Sequence, residues 1–112
     1  MRVSERGIEV QIPGRKRIFS RDIPAKNVSI PWKGIKRVSL FKKDCWNHDQ
    51  IRMWVEAEGV GLTELTEDMP GWQDLVQAVP KYLSGAMAEY EWWDRVISPT
   101  FELCWTQIWP GT

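Results

Sequence analysis

Asp44-Cys45-Trp46-Asn47-His48-Asp49 gathers a thiol, an imidazole and two carboxylates into one short stretch. A structural zinc site wants four nitrogen or sulfur ligands, and beyond Cys45 and His48 the chain offers only Cys104. A Cys45 nucleophile with His48 as its base fares no better. That pair needs a third residue to orient the imidazole and a positive field to hold the thiolate, whereas His48 stands beside Asp44 and Asp49. The stretch reads as loop and turn chemistry. No phosphate-cradling glycine motif, serine elbow or carboxylate pair in a recognisable context occurs elsewhere. The expectation is a protein that is not an enzyme and that needs no metal or cofactor.

Two other groups of residues suggest binding. Arg15, Lys16, Arg17 and Arg21, followed by Lys33, Lys36, Arg37, Lys42 and Lys43, would suit phosphate groups of a lipid head group or a nucleic acid. Strand charges at alternating positions are more often the wet face of a sheet, and the acidic second half would repel a polyanion. Nucleic acid is therefore disfavoured. The second group mixes aromatics with acids: Trp92, Trp93, Trp105 and Trp109 among Glu89, Glu91, Asp94 and Glu102. These indoles either seal a core or face a partner, since Trp is enriched where interfaces concentrate binding energy. As a surface, Trp92, Trp93, Glu89, Glu91, Asp94 and Trp109 would suit a basic protein, whose opposite charge speeds encounter.

Composition sets the frame for these groups. The 112 residues carry no net charge, 43% are apolar and 27% charged, as in an ordinary soluble globular domain. Eight Trp are present, each able to bury roughly 150–250 Å². The charge is polarised along the chain. Residues 1–43 hold twelve Lys or Arg against Glu5, Glu9 and Asp22, a balance of +9, and residues 44–112 hold the converse, −9. Halves that fold against each other would partly cancel this dipole. No apolar run near the N-terminus resembles a secretion signal and none is long enough to span a membrane, so the expected setting is the cytoplasm with reduced thiols.

The elements that must position these residues follow from periodicity. Gly7–Ile12 alternates and ends at Pro13-Gly14, and 15–20 is its candidate hairpin partner. Residues 21–27 read as a loop, 28–32 as a short strand and 32–35 as a tight bend. Residues 35–43 form a strand with Val38, Leu40 and Lys42 on one face. Residues 50–56 form the clearest strand, with Trp54 on the face of Arg52 and Glu56, and 60–66 supply another. At Glu67-Asp68-Met69-Pro70-Gly71-Trp72 the pattern changes: Trp72, Leu75, Val76, Val79 and Leu83 recur as one helix face. Asp68 is the expected cap, and Pro80 must end or kink this helix. A second helix is expected over 87–97 with Trp93, Val96 and Ile97 on one side. Residues 99–109 fit both helical spacing and alternation, and the helix is marginally preferred.

Strands first and helices last predict an α+β fold. The expectation is one domain over 1–112: a bent, mostly antiparallel sheet in 7–66, a covering helix in 67–85 and a Trp-rich extension in 86–112. The chain also resembles small bacterial pleckstrin-homology-like (PH-like) domains of uncharacterised proteins. The resemblance rests on Ile30-Pro31-Trp32, Ile35, Val38, Lys43-Asp44, Asp49, Ile51, and Glu67 through Trp72 with Leu75 and Leu83. It spans roughly residues 7–85 and departs at the tail, which carries four of the eight Trp. It implies a bent antiparallel sheet capped by a helix and no catalytic residues. Some domains of this general type look like immunity proteins of bacterial toxin systems. The functional expectation is thus a protein-binding module, in its most concrete form an inhibitor of a basic toxin, with anionic-ligand binding through the N-terminal half as the alternative. An uncovered edge strand would also allow two copies to pair, unless its Lys residues blunt it.

Overall fold

The computed structural model describes residues 1–12, 26–45, 48–97 and 104–110. It is an α+β arrangement of two antiparallel sheets and two helices. Arg2–Ser4 (β1), Gly7–Ile12 (β2) and Lys26–Pro31 (β3) form the first sheet in that order. The expected loop over 21–27 stops earlier, because Lys26 and Asn27 pair with Ile12 and Gln11. The expected hairpin partner at 15–20 lies outside the described residues. Gly7 is required where it stands. Its φ is +153°, and a Cβ there would meet the Ile30 carbonyl oxygen at 2.1 Å.

A 3-10 turn, Trp32–Gly34, leads into the second sheet. That sheet comprises Ile35–Cys45 (β4), His48–Ala57 (β5), Gly61–Thr66 (β6) and Thr106–Trp109 (β7), in the order β6-β5-β4-β7. Asp44, Cys45, His48 and Asp49 are strand residues and not part of the loop their composition suggests, while 46–47 lie outside the described residues. Asp44 and Cys45 stay in β4, opposite Asp49 and His48 of β5.

The register Val38↔Val55, Leu40↔Met53 and Lys42↔Ile51 turns these residues toward the core. Lys42 is 3% exposed, and its Nζ donates to the Ile97 carbonyl oxygen at 2.7 Å. A cation therefore lies at a helix C-terminus, where the carbonyls left without intrahelical donors gather. The alternate residues, Arg37, Ser39, Phe41, Arg52, Trp54 and Glu56, belong to the outer face, where Arg37 and Glu56 approach at 3.9 Å. This contact joins a basic residue of the N-terminal half to an acidic residue of the C-terminal half across the β4–β5 ladder.

Trp72–Tyr82 (α1) buries Trp72, Leu75, Val76 and Val79, as the spacing predicts, and runs through Pro80 before ending where Leu83 N–H donates to the Val79 carbonyl at 2.9 Å. Its start differs from expectation. Asp68 does not cap it; the residue before the helix is Gly71, left-handed at φ 94°, and Trp72 N–H bonds the Met69 carbonyl at 3.1 Å. A Cβ on Gly71 would meet the Met1 carbonyl oxygen at 2.6 Å, so glycine also lets the N-terminus approach. Asp68 instead accepts a bond from the Gln50 side-chain amide, and Glu67 Oε1 accepts from Ile51 N–H at 3.0 Å. Both acids fasten the turn to β5. At the other end, Tyr82 stacks on Trp32 at 5.2 Å, and Trp32 Nε1 donates to the Ser4 carbonyl at 2.8 Å.

Glu89–Ile97 (α2) corrects another expectation. Trp92, not Trp93, joins Val96 in the core. A further correction is β7. Residues 106–109 are a strand on the free edge of β4, with Leu40↔Thr106 and Ser39↔Gln107, so the chain does not end on helices. The Trp-rich extension is part of the fold: Trp92, Val96 and Ile108 share one buried cluster with Ile8, Ile30, Leu40, Val55 and Leu75.

Candidate protein-binding groove

The groove is built at the N-terminal end of α2. Ala88 N–H donates to Glu91 Oε1 at 3.0 Å, occupying one of the amides that no intrahelical carbonyl reaches. With Trp92 and Val96 turned inward, the helical repeat places Glu89, Tyr90, Trp93 and Asp94 together, because residues three and four apart are neighbours on a helix surface. Across from them lie Trp72, at the start of α1, and Glu67 of the preceding turn. The space between is an open groove of about 720 Å³.

Its character is acidic and aromatic. Glu67, Glu89 and Asp94 contribute three carboxylates, and among the described residues no Lys or Arg lines the groove. Tyr90 is 84% exposed and Trp93 42%, both far more than the buried Trp72 that forms part of the opposite wall. Large aromatic surface left in water beside like-charged carboxylates costs free energy in the isolated protein. A partner that desolvates the rings and brings positive charge relieves both effects.

Three of the six residues expected to face a partner meet here: Glu89, Trp93 and Asp94. The other three have separate tasks. Trp92 is 1% exposed and supports the helix from beneath, with its ring centroid 6.0 Å from that of Trp93. Glu91 caps α2. Trp109 lies in β7, where its indole Nε1 donates to the Ser84 carbonyl at 3.2 Å. Arg15, Lys16, Arg17 and Arg21 lie outside the described residues. Sequence reasoning missed Tyr90, and it kept the carboxylates of the 67–72 corner only as a fallback for binding without joining Glu67 and Trp72 to the α2 residues. The signal for Tyr90 was its three- and four-residue spacing to Trp93 and Asp94; for Glu67 and Trp72 only tertiary packing supplies one.

Among the described residues, no three His, Cys, Asp or Glu side chains stand close enough to hold a metal ion, and no helix is long and apolar enough to cross a membrane. In comparisons with known proteins, no protein-family model, curated protein or solved structure matches the chain.

Proposed function

We propose that the protein is a non-enzymatic protein-binding module of the cytoplasm whose partner presents a basic surface to the groove between α1 and α2. The observation that carries this reading is the meeting of exposed Trp93 and Tyr90 with three carboxylates and, among the described residues, no Lys or Arg in one open groove. Aromatic anchors supply contact area and the carboxylates supply steering and register. Its most concrete form is an immunity-type inhibitor that covers the nucleic-acid-binding face of a basic toxin. The PH-like classification belongs to this proposal. Two antiparallel sheets and a helix with one apolar face in the common core support it, while β7, which follows both helices, is a departure from it.

The test is a titration of the full chain with anionic lipid vesicles, with oligonucleotides and with small basic proteins, each at two salt concentrations. Saturable, salt-sensitive binding confined to basic proteins is expected. Strong salt-sensitive binding to vesicles or oligonucleotides would instead favour anion recognition through the basic N-terminal half and overturn the proposal.

A further inference from the structure

A second, unrelated groove lies on the outer face of the β6-β5-β4-β7 sheet. Three rings gather there: Phe41 stacks on Trp105 at 5.2 Å, and Trp54 meets both edge-on, at 5.4 Å and 4.9 Å. Beside them opens a recess of about 310 Å³, near the lower end of the roughly 300–1,000 Å³ usual for ligand pockets. Trp54 and Trp105 wall it, Leu62 flanks it, and Arg37 with Glu56 forms its rim. Ser39, a small residue in β4 between Arg37 and Phe41, also lines it.

Ser39 is the telling residue. It is 2% exposed, and its Oγ has no hydrogen-bond partner among the described residues. A hydroxyl withdrawn from water and left unpaired is a standing cost that a ligand's own hydroxyl would remove. Trp105 is 45% exposed in the segment entering β7.

We propose that this recess binds a neutral carbohydrate, one sugar ring deep. Arg37 and Glu56 already face each other at 3.9 Å, so a charged ligand would meet a like charge together with its counter-charge. A neutral polyol meets no such conflict, and the guanidinium and carboxylate offer paired donors and acceptors to adjacent hydroxyls. Trp54 and Trp105 stand at 81° and close a corner, not the parallel slot a flat base would enter. A corner of aromatic faces suits a ring with thickness and an apolar C–H surface. Ser39 donates to or accepts from the hydroxyl that reaches deepest.

The experiment follows the indole N–H signals of the 112-residue chain by two-dimensional NMR. Neutral mono- and disaccharides are titrated beside adenosine, tetramethylammonium and a proline-rich peptide. Saccharides should saturably shift the Trp54 and Trp105 signals, Ser39→Ala should weaken that binding about tenfold, and Ser39→Leu, which fills the recess, should abolish it. Glu89→Lys with Asp94→Lys should leave it unchanged. Silence with every saccharide, the same affinity in Ser39→Ala, or a response to adenosine, the ammonium ion or the peptide in place of sugars would overturn the proposal.

Discussion

The two aromatic grooves of this protein are made from the same residue types and differ in what surrounds the rings. Between α1 and α2, Trp93 and Tyr90 stand among carboxylates of one sign. On the sheet, Phe41, Trp54 and Trp105 are held against one another, the rim charges are paired, and the unsatisfied group is a hydroxyl. The first arrangement carries a net field that reaches beyond its own surface. The second is electrically quiet and reads its ligand only at contact. Counting Trp residues therefore says little about function until the charges beside each ring are known.

The sharpest way to test that contrast is to separate the rings that hold the fold from those that face outward. Trp92→Ala should cost about 3–5 kcal/mol by chemical denaturation, whereas its neighbour Trp93→Ala should lie within about 0.5 kcal/mol of wild type. Equal costs would mean that Trp93 is part of the core and that the groove has no free aromatic wall. Lys42 joins the two regions, since it lies beneath the sheet yet bonds the end of α2. Lys42→Met should destabilise by about 1–3 kcal/mol, because it leaves the Ile97 carbonyl without this donor. A neutral outcome would detach the sheet from the helix that bears the acidic groove. On the sheet face, Glu64 accepts bonds from Trp54 Nε1 at 2.9 Å and from Arg52 at 2.8 Å. Glu64 is exposed while Arg52 and Trp54 are half-buried, and Glu64→Gln should change stability by no more than about 1 kcal/mol. A larger loss would show the aromatic cluster to be a structural support with no surface to spare for a ligand.

The legible parts of the fold were those with strong local periodicity. Trp72, Leu75, Val76 and Val79 declared α1 because an amphipathic helix repeats its buried face, and Ile51, Met53 and Val55 declared β5 because a half-buried strand alternates. The failures share a cause: each depended on partners distant in sequence. Thr106–Trp109 is a strand because the edge of β4, some seventy residues earlier, offers unpaired backbone groups, and its own pattern fits either period. Asp68 looked like a cap because its position relative to α1 suited one, but Gln50 of β5 competes for its carboxylate. Trp92 and Trp93 are adjacent aromatics, and only the packing of α2 against the core decides which turns inward. The candidate groove was half legible for the same reason: its α2 residues share a local spacing, whereas Glu67 and Trp72 arrive from another element.

The central claim is that the acidic groove, and no other surface, selects a basic protein partner. The direct measurement is affinity capture from the source cell with the wild-type chain and with the Glu89→Lys/Asp94→Lys variant, at two salt concentrations. It is followed by titration of each purified captured protein against both chains, with thermal unfolding of both as the control for folding. The account predicts a basic protein that binds the wild type more weakly as salt rises and loses at least tenfold in affinity for the variant, which unfolds at an unchanged temperature. A partner that binds both chains equally, or a captured set with no basic protein in it, would contradict the account.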